Sequence, residues 1–320
     1  MSSNASTAAT TTVRDDVIGA DAPFGAWCTE ATKLAREVGA IIRTAFFDAQ
    51  APPAPDNKDN NAIDLVTATD QAVEALIKKR LDAVFPDYKF IGEESVAGGA
   101  KCELTDAPTV ICDPIDGTTN FVHGFPFVCT SLGLVVNRQP TAAVIYNPIL
   151  DEMYIAHRGH GAFMNGRCLP IHRANHPLDQ NAVLMVTEGG HDRGAVAMKA
   201  KLDTWHNVLS ASKANLRGIR CTGSGALNLC MIARGGADVY WEIGLHAWDM
   251  AAAVLLVEEA GGMVVGQEYL GATEAARKTW SRDSHPFDVM GRKAMALRKA
   301  DVGFLHQFVG HVVDYPCERD

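Results

Sequence analysis

Residues 113–121, which read Asp-Pro-Ile-Asp-Gly-Thr-Thr-Asn-Phe, constrain the fold of this chain more than any other segment. They follow residues 106–112, a short apolar run with β-branched side chains that is typical of a buried strand. Two carboxylates around a tight Pro-Ile turn can hold hard cations through oxygen, and the amides after them can meet phosphate oxygens. We therefore expect Asp113 to lie where a buried strand ends, which is where open α/β sheets bind ligands.

Asp and Gly also form ordinary turns, so this segment alone leaves a capping role and a metal site both open. Two other acidic positions favour a functional site. Residues 88–91 read as a strand that runs into Glu93 and Glu94, and Asp249 precedes an apolar helical stretch that it can N-cap. Three acidic strand or helix ends are a stronger signal than one.

The hydrophobic pattern predicts a mixed α/β domain. Apolar residues recur at helical spacing over residues 27–45 and 73–84, which predicts two early helices. Short β-rich runs separated by Asn, Asp and Gly turns follow over 127–163 and indicate an antiparallel meander. Strands and helices then alternate, with expected elements at 182–186, 224–233, 239–241 and 249–260.

Length and charge limit the functional classes. The chain has 320 residues with no break in composition, and we expect one domain over residues 23–320 behind a flexible N-terminal tail, 1–22. A net charge of -9 without concentrated Lys and Arg argues against a nucleic-acid partner. An acidic protein with a phosphate substrate needs bound cations.

Cysteine usage and hydropathy point to a cytoplasmic protein. Eight cysteines are scattered singly with no Cys-x-x-Cys pair, which indicates reduced thiols and neither a zinc cluster nor a disulfide scaffold. The longest purely apolar stretch, residues 250–257, is far too short to span a membrane. We expect no membrane partner.

Several separated motifs occur in order along the chain. They are Gly92-Glu-Glu-Ser95, 113–121 and Trp248-Asp249 with the following small-residue helix and Gly261-Gly262, together with segments 63–70, 159–163 and 235–238. Their order and separation resemble the inositol monophosphatase family over about residues 26–265, and the similarity resumes at 286–289. The resemblance implies an αβαβα sandwich with its metal site at the junction of the layers, and a homodimer. Residues 266–285 lengthen a loop that relatives keep short.

The resemblance also implies metal ligands. Glu93, Asp113 and the Ile115 carbonyl are expected to hold a first Mg²⁺, and Asp113, Asp116 and Asp249 a second. Two or three Mg²⁺ ions per active site are expected, because Asp70 matches a position near a third, weakest metal or its water shell. An ordinary helix start at 67–70 is an equal alternative for Asp70. Lys58 matches a family lysine only approximately and could equally be a solvated loop charge.

The same resemblance assigns catalytic and substrate roles. Glu93 and Thr118 are expected to orient and activate the attacking water, with the metal lowering its pKa. Glu242 is expected to bind a substrate hydroxyl. Ser224 stands where relatives commonly carry Thr, which keeps the hydroxyl. The full set of expected substrate-binding residues is Asp116, Gly117, Thr118, Gly223, Ser224, Gly225, Glu242 and Asp249.

The function that these residues imply is Mg²⁺-dependent hydrolysis of myo-inositol monophosphate to inositol and phosphate, with Li⁺ as an inhibitor. A related phosphatase acting on another sugar phosphate, or on a sugar or nucleotide bisphosphate, is the nearest alternative. A second phosphate would call for additional Lys or Arg near the site. A catalytically silent binding or scaffold protein is a more remote alternative, because every expected metal ligand is present.

Overall fold

The computed structural model describes residues 18–19, 22, 24–48, 56–57, 65–66, 68–172, 176–190, 192–281 and 284–318. The helices are α1 (Gly25–Phe47), α2 (Ala68–Val84), α3 (Glu93–Ala97), α4 (Thr118–His123), α5 (Ala195–Leu209), α6 (Gly225–Ala233), α7 (Ala247–Glu259), α8 (Gln267–Leu270), α9 (Glu274–Arg277) and α10 (Val302–Val309). The strands are β1 (Asp56–Asn57), β2 (Leu65–Val66), β3 (Lys89–Gly92), β4 (Thr109–Asp116), β5 (Cys129–Val136), β6 (Gln139–Asn147), β7 (Glu152–His157), β8 (Gly161–Met164), β9 (Arg167–Cys168), β10 (Leu184–Thr187), β11 (Gly218–Arg220), β12 (Val239–Ile243), β13 (Met263–Val265) and β14 (Lys293–Leu297).

The strands form two large sheets and one short ribbon. The seven-stranded sheet has the order β3-β4-β5-β6-β7-β8-β9, with β3 and β4 parallel and every other pair antiparallel. The five-stranded sheet has the order β11-β10-β12-β14-β13, in which β10 runs parallel to both of its neighbours. Strands β1 and β2 form the antiparallel ribbon.

The helices and sheets stack in five layers. Helices α1 and α2 share a core with the outer face of the seven-stranded sheet, and α5 and α10 share another with the five-stranded sheet. Helices α6 and α7 lie between the two sheets and contribute to a third core. This arrangement confirms the predicted αβαβα sandwich.

Helix α7 is the centre of the sandwich. Its residues 250–257 are all buried, as expected for a helix that is apolar on every side and packed between two sheets. A run of three alanines, 251–253, lets the helix approach β5 closely. A Cβ atom added to Gly133 of β5 would lie 2.8 Å from the backbone nitrogen of Ala252. The small side chains at this contact therefore set the distance between α7 and the sheet.

Three local expectations need correction. Strand β4 does not end before Asp113 but continues to Asp116, with a shift in register between these two residues. The irregularity accommodates Pro114, which has no N–H to donate to the ladder. Asp249 is not the N-cap of α7, since His246 occupies that position. The predicted loop 266–285 contains the short helices α8 and α9.

Several other expectations are confirmed. The structure contains the two early helices, the antiparallel meander and the later alternation of strands and helices. Residues 1–17 of the predicted tail and Lys58 lie outside the described residues, whereas Ile18 is buried beside α1. None of the helices described is long and apolar enough to cross a membrane. The single-domain interpretation stays a prediction.

The contact between Gly133 and α7 leads to a stability prediction. Gly133→Ala should reduce the free energy of unfolding by roughly 1 to 3 kcal/mol, because the added methyl group overlaps the helix backbone. Gly303→Ala in α10, where the added Cβ meets nothing closer than 3.4 Å, is the control and should be neutral or slightly stabilising. Urea unfolding of both variants measures the difference, and equal stabilities would contradict this packing account.

Candidate active site

A cavity of about 690 Å³ opens where the ends of β4 and β12 meet the first residues of α3, α4, α6 and α7. Its lining is acidic. Arg193 is the only Lys or Arg among the described residues that line it. Six carboxylates line the cavity, from Glu93, Asp113, Asp116, Glu188, Glu242 and Asp249.

Three of these carboxylates form a tight cluster. Asp113, Asp116 and Asp249 each offer one oxygen, and these oxygens lie within 4.8 Å of one another. Asp113 and Asp116 are buried, and Asp249 is partly exposed. Three ionised carboxylates at this separation repel one another and lose hydration, so the cluster fits a site for divalent cations with oxygen ligands.

Asp116 connects β4 to the beginning of α6. Its Oδ2 accepts hydrogen bonds from the Ser224 hydroxyl at 2.5 Å and from the Ala226 backbone N–H at 2.8 Å. Ser224 is the N-cap of α6, and its Oγ also accepts from the Leu227 N–H at 3.1 Å. Burial raises the pKa of Asp116, although the hydrogen bonds that Asp116 accepts from Ser224 and Ala226 act in the opposite direction.

Asp249 is fixed by the first turn of α7. It is the third residue of the helix, and its carboxylate accepts a hydrogen bond from the His246 backbone N–H at 2.7 Å. This is the capping-box arrangement, in which a carboxylate reaches back to the N-cap residue. Burial, and then the neighbouring charge of Asp116, raise the pKa of Asp249 well above its usual range.

Glu93 and Thr118 line the same cavity at its β3 and β4 side. Glu93 is the first residue of α3 and lies outside the cluster of three aspartates. The Thr118 hydroxyl is within hydrogen-bond distance of the Ile115 carbonyl, at 3.1 Å, and of Asp70 Oδ1, at 3.4 Å. Asp70 is buried and reaches the site through Thr118.

The beginning of α3, and with it Glu93, is held by a residue that the sequence reasoning missed. Glu74 of α2 is buried and accepts hydrogen bonds from the backbone N–H groups of Glu94 and Ser95, at 2.7 and 2.8 Å. It also accepts from the Ser95 hydroxyl. The apolar spacing of α2 offered no sign of this contact.

Gly117 and Gly223 bring two loops together at the floor of the cavity. Gly117 has a φ of 90°, and a Cβ there would lie 2.9 Å from the Phe127 carbonyl oxygen and 3.2 Å from that of Gly223. The Asn120 amide donates to the Phe127 carbonyl at 2.8 Å and to the Thr222 carbonyl at 2.7 Å. Only glycine fits position 117 without displacing this contact.

Glu242, in β12, lines the same cavity. It is 8% exposed, and its Oε2 accepts a hydrogen bond from the Tyr240 hydroxyl at 2.6 Å. Burial, followed by the charge of Glu188, raises the pKa of Glu242 to about 8. Burial also raises the pKa of Glu188.

Glu188 is a cavity residue that the sequence reasoning did not identify. It directly follows β10, just as Glu93 directly follows β3. The signal was therefore an acidic residue at a strand exit, followed here by Gly189 and Gly190. Every residue predicted to bind metal or substrate also lines this one cavity, while Asp70 contacts it through Thr118.

The inositol monophosphatase family model matches residues 27–288, well over half of the chain. The chain belongs to the inositol monophosphatase family. It is 40% identical over 295 residues to inositol monophosphatase 1 from Bos taurus, covering 91% of this chain and 95% of that protein.

Solved structures agree with this family assignment. The inositol monophosphatase from Anabaena superposes with a TM-score of 0.69 at 29% identity, covering 90% of this chain and 96% of that one. The extragenic suppressor protein suhB from Bartonella henselae superposes with a TM-score of 0.70 at 28% identity, covering 89% and 98%. The inositol monophosphatase resemblance seen in the sequence motifs is thus confirmed.

The raised pKa of Glu242 predicts a pH-dependent stability in the metal-free protein. The folded state retains the Glu242 proton up to about pH 8, whereas an unfolded Glu loses it near pH 4.3. The contribution of the Glu242 proton to the free energy of unfolding is therefore fully present below about pH 4 and is lost as the pH rises towards 8. Its full size is at most about 5 kcal/mol.

Unfolding by urea with EDTA present, at pH 5 and pH 8, measures this effect. Stability should fall less between these pH values in Glu242→Gln than in the wild type, because glutamine cannot ionise. Glu103→Gln, at an exposed glutamate, is the control and should retain the wild-type slope. Identical slopes for all three proteins would show that Glu242 does not carry the expected proton.

Proposed function

We propose that this protein hydrolyses myo-inositol monophosphate to myo-inositol and phosphate in a reaction that depends on Mg²⁺. The convergence of Asp113, Asp116 and Asp249 in one cavity is the observation that carries this proposal. Membership of the inositol monophosphatase family supports it. We take the class of substrate from the comparison proteins that are named inositol monophosphatase.

The donor set fits Mg²⁺. All three clustered side chains offer carboxylate oxygens, and the Ile115 carbonyl and Glu93 offer further oxygens at the same cavity. We propose that Glu93, Asp113 and Ile115 hold one ion, and that Asp113, Asp116 and Asp249 hold another. Bound Mg²⁺ would supply charge that stabilises the phosphoryl group and makes water more acidic.

The residues of the chain would position the reactants. We propose that Glu93 and the Thr118 hydroxyl orient the attacking water and that the Glu93 carboxylate accepts its proton. The backbone N–H groups of Gly117 and Thr118 bind the phosphate oxygens. Asp70 keeps the Thr118 hydroxyl in place through the contact between their side chains.

The lining favours a monophosphate over a bisphosphate. A second phosphate requires additional cationic donors, and Arg193 is the only Lys or Arg among the described lining residues. Glu242 and Glu188 add carboxyl oxygens to the lining, and these acceptors suit hydroxyl groups better than a second phosphate. A polyol monophosphate matches both features.

Substitution of Asp249 tests the metal assignment. Asp249→Asn should lower kcat roughly a hundredfold or more, because metal ions supply several kcal/mol of transition-state stabilisation. The amide oxygen can still accept the hydrogen bond from His246, so the fold should be retained. Phosphate release from myo-inositol monophosphate at several Mg²⁺ concentrations measures the loss, with circular dichroism as the folding control. Near-normal turnover at ordinary Mg²⁺ concentrations would exclude Asp249 as a ligand, and no release by the wild type would favour a silent scaffold.

Substitution of Glu242 tests the substrate assignment. Assayed above the Glu242 pKa of about 8, where the carboxylate is ionised, Glu242→Ala should lower kcat/KM for myo-inositol monophosphate roughly ten- to a hundredfold, the range for a lost hydrogen bond to a charged group. The loss for glycerol 2-phosphate should be smaller, because this substrate reaches less of the wall. Equal losses on both substrates would remove Glu242 from the polyol-binding wall.

Inhibition by Li⁺, a third metal near Asp70 and a homodimer stay predictions from the family resemblance, and a cytoplasmic location stays a prediction from the scattered cysteines.

A further inference from the structure

Glu188 and Glu242 lie side by side at the ends of two parallel strands. Residues Met185, Val186 and Thr187 of β10 pair in register with residues 239–241 of β12. The next residue on each strand is Glu188 and Glu242, respectively. Neighbouring parallel strands are about 4.8 Å apart, so the two carboxylates start from adjacent backbone positions. The effect of the Glu188 charge on the pKa of Glu242 agrees with this proximity.

The two oxygens of Glu188 have different surroundings. Oε1 accepts from the backbone N–H groups of Thr222 and Gly223, at 2.6 and 2.7 Å, and from the Asn228 amide at 2.8 Å. Oε2 has no hydrogen-bond donor among the described residues. Glu242 shows the same division, because Tyr240 donates to Oε2 while Oε1 has no donor within the described parts of the chain.

A structural role alone does not account for a carboxylate at position 188. A glutamine could hold the 222–223 loop through its own Oε1, and it would not repel Glu242 at the next strand end. An ionised Glu188 beside Glu242 instead costs free energy through repulsion and loss of hydration. Hydroxyl groups of a ligand would offset that cost by donating to the oxygens that the protein leaves without donors.

We infer that Glu188 is a second substrate-binding carboxylate for the phosphorylated polyol. Its Oε1 holds the 222–223 loop, and its Oε2 accepts a hydrogen bond from a ring hydroxyl next to the one bound by Glu242. This inference rests on the proposed function. Glu188 and Glu242 would together bind two neighbouring hydroxyls of a ring polyol. This pair would favour such a substrate over one whose leaving group has no hydroxyls.

The variant Glu188→Gln separates substrate binding from loop support, because the amide oxygen can still accept from Thr222 and Gly223. Its kcat/KM for myo-inositol monophosphate should fall roughly tenfold, mainly through KM, since a charge-assisted hydrogen bond is lost. The loss for p-nitrophenyl phosphate, whose leaving group carries no hydroxyl, should stay below about threefold, and the melting temperature should not fall. Equal losses on both substrates, or no loss on the inositol substrate, would overturn the inference.

Asn228→Ser is the matched control, because it removes a donor to Oε1 and leaves the Glu188 carboxylate in place. It should affect both substrates by the same factor. A loss confined to the inositol substrate in this control would show that loop position alone sets selectivity, and would overturn the role of Oε2.

The double variant Glu188→Gln/Glu242→Gln tests whether each of the two residues binds the substrate by its own contact. Two contacts to different hydroxyls predict that the double variant has a lower kcat/KM than either single variant, and adjacent carboxylates that influence each other need not give losses that multiply. A double variant no worse than Glu242→Gln alone would mean that Glu188 acts only through Glu242, which contradicts the inference.

Failure of the proposed function would be visible separately, as absence of phosphate release by the wild-type protein. Calorimetric titration with myo-inositol monophosphate in the presence of Ca²⁺ then tests the contact without turnover. Roughly tenfold weaker binding by Glu188→Gln supports the inference, in line with loss of a hydrogen bond to a charged group. Equal affinity, or no binding by the wild type, overturns it.

Discussion

The cluster of three aspartate carboxylates, whose oxygens lie within 4.8 Å of one another and of which Asp113 and Asp116 are buried, is the constraint on which this structure depends. Burial raises the pKa of Asp116 and of Asp249 and so disfavours their ionised forms, and hydrogen bonds from neighbouring donors offset only part of that cost. Each carboxylate comes from a position that the layers fix. Asp113 and Asp116 lie in β4, while Asp249 lies in the first turn of α7. The cluster therefore requires the seven-stranded sheet and the central helices to be in place, and bound cations would complete its charge balance.

Two chemically different sets of side chains line the cavity. The aspartate cluster joins β4 to the first turns of α6 and α7, and its oxygens suit divalent cations and, through them, a phosphate group. The second set is Glu188 and Glu242 on adjacent parallel strands, and their acceptors suit hydroxyl groups. A phosphorylated polyol carries both kinds of group. Specificity would then follow from strand register, because β10 and β12 place the two glutamates at neighbouring positions.

Much of this architecture could be predicted from sequence, because local patterns carried it. Helical periodicity predicted α1 and α2, turn residues predicted the meander, and the motif 113–121 identified the site. Family resemblance supplied the layer order. The details that sequence reasoning missed depend on tertiary contacts. The position of β14 between β12 and β13 follows from packing, and no local pattern encodes it.

The same distinction applies within the site. Asp249 looked like an N-cap because Asp favours that position, yet His246 takes it and Asp249 completes a capping box. Glu188 carried a readable signal, an acidic strand exit, but its significance came from the register with β12. Glu74 gave no sequence signal, since its partners at the start of α3 are 20 and 21 residues away.

The central claim is that the aspartate cluster binds divalent cations, and anomalous diffraction from crystals soaked in Mn²⁺ tests it most directly. Mn²⁺ prefers the same oxygen ligands as Mg²⁺ and gives a strong anomalous signal. The account predicts anomalous peaks within about 2.0 to 2.3 Å of carboxylate oxygens from Asp113, Asp116 and Asp249. It also predicts loss of the peak shared by these residues in Asp249→Asn. Saturating Mn²⁺ with no peak at these aspartates in the folded wild-type protein would contradict the account.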